Sequence, residues 1–170
     1  PADVLHLGQV APAHAEGGTQ EMFKACLAGA PGACVQLRER NRADLEDALN
    51  YMDRRYPYIM EEFDGDLPAI SFDLSREFWA GNSGATEFLS GSIVLAAGYN
   101  STGHLIATLA HEFKHSSDGI LGRAQANFED FFVSVGLLPP VESTGKGVRH
   151  SEIYLFSDEV LRNYQIEDGR

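Results

Sequence analysis

The residues whose types and spacing point most directly to chemistry are His111-Glu112-Phe113-Lys114-His115. Two histidines four apart on a helix project from one face about one turn apart, so both imidazoles can reach a single tetrahedral Zn²⁺. The glutamate between them then stands beside the metal, placed to take a proton from an activated water. The competing reading is a solvated helix face that happens to carry these three side chains. Against it, Leu105, Ile106, Leu109, Ala110 and Phe113 form an apolar stripe, and neither Pro nor Gly interrupts 104–118. That pattern predicts an amphipathic helix with one face in the core.

A catalytic zinc takes three protein ligands and leaves a fourth position for water. His104 shares the helix face, but seven residues before His111 it lies roughly 10 Å away along the axis. Asp118 follows His115 by three residues and reads best as a partner that orients a ligand imidazole. The next helical pattern, 122–135, offers Glu129 and Asp130. Arg123, Asn127, Asp130 and Ser134 make a polar stripe, the expected solvent side. Glu129 falls on the line of Ala126 and Val133, flanked by Phe128 and Phe132, where a carboxylate is costly unless paired or bound to metal. Glu129 is therefore the favoured third ligand, with Asp118 and Asp130 as alternatives.

Hydrolysis of a peptide bond follows from such a site. Zinc would polarise the carbonyl and lower the pKa of water toward about 7, and Glu112 would serve as general base. A donor near the oxyanion is also needed. His150 and Tyr154, four apart in a late segment, are candidates, although lone His and Tyr residues are commonly structural.

At 101–135 the chain resembles the zincin metallopeptidases. Thr108-Leu109-Ala110-His111-Glu112 fits their lead-in, while Lys114 and Ser117 depart from it. A His-Glu-His set completed by a Glu of a following helix is similar to the gluzincins. The thirteen residues between His115 and Glu129 are few for that group, and Val133 stands where many of them carry Asp. The chain also looks like the compact metallopeptidase domains of bacterial secreted toxins and effectors. That resemblance implies a protein or peptide substrate, a cognate inhibitor or immunity protein, and secretion or delivery into a target cell. A zinc-binding or protein-interaction module without activity, and a peptidoglycan peptidase, are the alternative functions.

The elements that must position these residues can be read from periodicity and breakers. Thr19 can cap a helix over about 20–28, ended by Gly-Ala-Pro-Gly. The longest helical pattern, 41–63, places Leu45, Leu49, Met52 and Tyr56 on one face. Residues 68–74 read as a strand, and 87–96 as two short strands meeting at Ser90-Gly91. Gly91–Gly98 is either an ordinary buried strand or the edge strand that aligns substrate. Helices follow over 101–117, 122–135 and 151–164, with a break at Pro139-Pro140. Phe78 and Trp79 either line a pocket or pack in the core. Residues 1–18 read as an extended lead-in. The expected class is α+β: one zincin-like domain over 1–170, with a small antiparallel sheet packed on the HExxH helix.

Composition supports a compact fold and narrows the partners. The 170 residues are 44% hydrophobic and 22% charged. Thirteen basic against 25 acidic residues give −12, which argues against nucleic acid and anionic membranes. The same charge supports solubility and would also favour a basic segment of a protein substrate. No run approaches the roughly 20 apolar residues that span a bilayer, and no signal peptide is evident. A chain opening on Pro1 reads as a processed product or an excised domain. Cys26 and Cys34 are either a disulfide or two buried thiols.

Overall fold

The computed structural model describes residues 18–74 and 83–168. The expected lead-in and the pair Phe78 and Trp79 lie outside the described residues. The elements are α1 (Gln20–Leu27), α2 (Ala33–Arg55), α3 (Pro57–Glu61), β1 (Ile70–Asp73), β2 (Gly84–Thr86), β3 (Ile93–Ala96), α4 (Thr102–Ser117), α5 (Gly119–Ser134) and α6 (Val148–Asp168). The class is α+β, as expected.

The first half differs from expectation at its helix ends. Thr19 does not cap α1; its hydroxyl donates to Ala97 O at 2.5 Å and accepts from Tyr99 N, tying α1 to the chain after β3. Cys26 and Cys34 form a disulfide across the α1–α2 turn. α2 starts at Ala33 rather than about Asn41, and it stops before Pro57. Proline lacks the N–H that would continue the ladder and its ring crowds the preceding turn, so it opens the short α3 instead.

The sheet is mixed rather than antiparallel. Its order is β1-β3-β2, with β1 parallel to β3 (Ile70 opposite Ile93) and β2 antiparallel to it (Gly84 opposite Leu95). β3 is the central strand, and its Ile93 and Leu95 are fully buried. Gly91–Gly98 therefore does not supply an edge. Glu87–Ser90, expected as a strand, is the turn between β2 and β3, closed by Gly91 N to Glu87 O at 2.9 Å, with Gly91 at φ +73°. Phe88 and Leu89 project outward there, so an apolar run that suggested a strand is a loop tip.

α4 is the hub of the fold. Ser101 caps it by accepting from His104 N at 3.2 Å, and Leu105, Ile106, Leu109, Ala110 and Phe113 fill the core with Met52, Ile59, Ile93, Leu95 and Val160. It packs on α2, β2, β3, α5 and α6. α6 runs antiparallel to it: the His150 ring lies against His111 at one end, and Leu161 and Tyr164 close on Gly103 at the other. A Cβ on Gly103 would stand 3.1 Å from Tyr164 and 3.2 Å from Leu161, so the helices approach closely here.

α5 turns its expected line inward, with Ala126 buried, Glu129 and Val133 half-buried and Asn127 and Ser134 exposed, but two features differ. Arg123, assigned to the solvent side, is 6% exposed, while Phe128 and Phe132, which flank the expected core line, are 62% and 38% exposed. The reason is local. The Arg123 guanidinium donates to Phe88 O at 2.9 Å, His115 O at 3.1 Å and Ser116 O at 3.0 Å, satisfying carbonyls at the C-terminus of α4. These charge-assisted bonds outweigh the amphipathic pattern.

Candidate metal centre

α4 presents His111, Glu112 and His115 toward a cleft of about 550 Å³ that also receives His150 and Tyr154 from α6 and Gly84–Thr86 from β2. The ring centroids of His111 and His115 are 4.9 Å apart, and His150 lies 5.4 Å from the first and 4.9 Å from the second. One ring nitrogen from each falls within 4.8 Å of the others, and among the described residues this is the one group of three or more His, Cys, Asp or Glu so arranged. His150 Nε2 stands 3.4 Å from His111 Nε2. That separation is long for a hydrogen bond. It matches the edge of a tetrahedron whose Zn–N bonds are about 2.1 Å.

The protonation states suit ligation. Burial, then the neighbouring His115 and His150, lowers the His111 pKa to about 3. Burial and His150 lower that of His115 to about 4. Both rings are therefore neutral near pH 7, with lone pairs available. The Nδ1 of His150 pairs with Asp130 Oδ2 at 2.7 Å, which leaves Nε2 facing the other two rings. A carboxylate on the far nitrogen is the usual means of orienting a metal-binding imidazole. Burial would raise the Asp130 carboxyl, but Gly147 N–H, His150 and Lys146 together hold it below its ordinary value.

The structure does not bring Glu129 to the histidine pair. Its carboxylate accepts from Arg149 N and from Gln125 Nε2, both at 2.8 Å. Asp130 accepts from Gly147 N at 2.8 Å. These two neighbouring carboxylates thus satisfy free N–H groups at the start of α6, where negative charge is favoured by the helix dipole. Glu129 has its partners at a helix end, which removes the reason for assigning it to a metal. Asp118 bonds the Arg149 guanidinium through both oxygens and so holds the first turn of α6; no hydrogen bond joins it to His115. Asp130, considered as an alternative ligand, stands behind His150 instead.

His150, read as an oxyanion donor, occupies the third position around the histidine pair. Its distance from His115 in sequence, 35 residues, follows no spacing rule. The signal that could have found it is chemical: a His in the first turn of a helix, with an acidic pair on the preceding helix. Tyr154 stacks on His150 with centroids 5.0 Å apart and meets the His111 ring at 4.7 Å, so it stands beside the cluster.

Glu112 is 5% exposed and accepts from Thr86 Oγ1 at 2.7 Å. Burial pushes its carboxyl up to about 7, and the Thr86 hydroxyl partly opposes the shift. β2 makes this contact possible because residue 84 is glycine. A Cβ there would stand 2.7 Å from Thr108 Cγ2 and 3.0 Å from the Glu112 side chain. β2, not β3, is the edge strand over the site. No family model, curated protein or solved structure matches the chain.

Proposed function

We propose that the chain is a zinc-dependent peptidase of zincin type whose metal is held by His111, His115 and His150. The observation that carries the reading is the convergence of three imidazole nitrogens, with His111 and His115 held neutral, beside a buried glutamate in an open cleft. All three rings are nitrogen donors of the kind zinc prefers, and a three-histidine set leaves room for water and substrate. Zinc held there would act as a Lewis acid and bring the pKa of water toward about 7.

The chain's own residues supply the remainder. Glu112, with a carboxyl near 7, is matched to accept a proton near neutral pH and return it to the leaving amine. Thr86 holds one carboxylate oxygen and leaves the other for that exchange. Tyr154 brings a phenol to the same wall and is the candidate donor to the oxyanion. Among the described residues β2 is an outer strand of the sheet and stands in the cleft wall, where an extended peptide can pair by backbone hydrogen bonds.

The Cys26–Cys34 disulfide supports a protein that folds in, or passes through, an oxidising compartment, in keeping with a secreted or delivered enzyme. Among the described residues, no helix is long and apolar enough to cross a membrane. A zinc-binding module without activity is the other reading, and Glu112 separates the two. Glu112→Gln is expected to keep zinc and to lose about 10²–10⁴-fold or more of peptide hydrolysis. Unchanged turnover by that variant rules out the proposed base.

A further inference from the structure

Resting on that reading, we propose that the arm of the cleft between α4 and α6 is a specificity pocket for a lysine or arginine side chain beside the cleaved bond, with Asp158 as its counter-charge. The cleft extends from the histidine cluster in two directions. Toward His115 it is walled by Phe88, Arg123 and Asn127. Toward the start of α4 it is walled by His104, Ala107 and Thr108 on one side and Ser157, Asp158 and Leu161 on the other. The antiparallel helices set this second arm, and it closes where Leu161 and Tyr164 meet Gly103.

The chemistry of the two arms differs. Arg123 is the sole Lys or Arg among the described residues lining the cleft, and its guanidinium is occupied by three backbone carbonyls in the first arm. Among the described residues the second arm holds no Lys or Arg, and the Asp158 carboxylate makes no hydrogen bond or ion pair with any of them. Asp158 lies eight residues beyond His150, roughly 12 Å along the helix axis. A Lys or Arg side chain reaches about 6–7 Å from its Cα, and a hydrogen bond of about 2.8 Å together with the length of the Asp158 side chain makes up the rest. Ala107 and Leu161 offer apolar surface to its methylenes, and Ser157, Thr108 and Asp158 offer acceptors to its head. The net charge of −12 draws such a substrate toward the cleft.

The test is a cleavage profile of the zinc-loaded protein on a diverse peptide library, repeated with Asp158→Lys. The expected profile is enriched in Lys and Arg at one position flanking the cut. In Asp158→Lys, kcat/KM for those peptides should fall about tenfold or more, and peptides with Glu at that position should gain. Cleavage with no basic preference, or a preference that Asp158→Lys leaves intact, overturns the pocket while leaving the peptidase in place. Absence of any cleavage by protein shown to carry zinc overturns both.

Discussion

The two helices that deliver the three histidines hold them in opposite ways. α4 is locked by apolar packing: Leu105, Ile106, Leu109, Ala110 and Phe113 are all at most 2% exposed, and His111 and His115 follow from the same turns. The first turn of α6 is held by charge. Asp118 takes the Arg149 guanidinium, Glu129 takes Arg149 N, and Asp130 takes both Gly147 N and the His150 ring. A hydrophobic lock is shared with the stability of the whole domain. A polar one acts on a single ring and can be loosened by itself. The site thus joins a permanent half to an adjustable half.

Substitutions should expose that division. Leu109→Ala leaves a cavity under the histidine pair, and a loss of about 2–5 kcal/mol in denaturant unfolding is expected, since such a core truncation cannot relax locally. A loss below about 1 kcal/mol would show that α4 is not the hub described here. Acidification strikes the same half. The folded-state pKa values of His111 and His115 lie near 3 and 4, below the ordinary 6.5, so the unfolded chain binds protons first as pH falls. At about pH 5 the two imidazoles together cost about 4 kcal/mol, while Glu112, raised to about 7, regains about 2. Metal-free stability therefore falls by on the order of 2 kcal/mol between about pH 7 and pH 5. Thermal melts of metal-free protein across that range check the sign, and a flat profile contradicts it. Asp130→Asn works on the polar half. Zinc affinity is expected to drop about 10–100-fold, while the metal-free melting temperature falls by only about 2–4 °C for the weakened helix end. A large fall in melting temperature without loss of affinity would place Asp130 in the scaffold instead.

The same division explains what could be read in advance. α4 was legible because motif, apolar stripe and Ser101 cap all agree on one helix in one orientation. The α+β class and most later elements followed from breakers such as Asp118-Gly119 and Pro139-Pro140. The burial of Arg123 on α5 was not legible, since it depends on the guanidinium meeting carbonyls at the end of α4, a tertiary contact with no periodic trace. Glu129 looked stranded on an apolar face for the same reason: its partners are backbone N–H groups of α6, which no side-chain pattern reveals. His150 was visible as a residue but not as a member of the cluster, because a ligand brought in by a separate helix has no spacing rule. β2 escaped notice at three residues, Gly84–Thr86, too short to show an alternation.

The claim on which the rest depends is that His150, and not Glu129, completes the site. Zinc titration of the wild-type chain against His150→Ala and Glu129→Gln decides it. One tightly held zinc per chain is predicted for the wild type, with near-equal affinity in Glu129→Gln at a stability cost of about 1 kcal/mol for the weakened helix end. His150→Ala should lose affinity by more than the ~10–100-fold typical of an outer partner. Full zinc binding by His150→Ala, or its loss in a folded Glu129→Gln, would contradict the account.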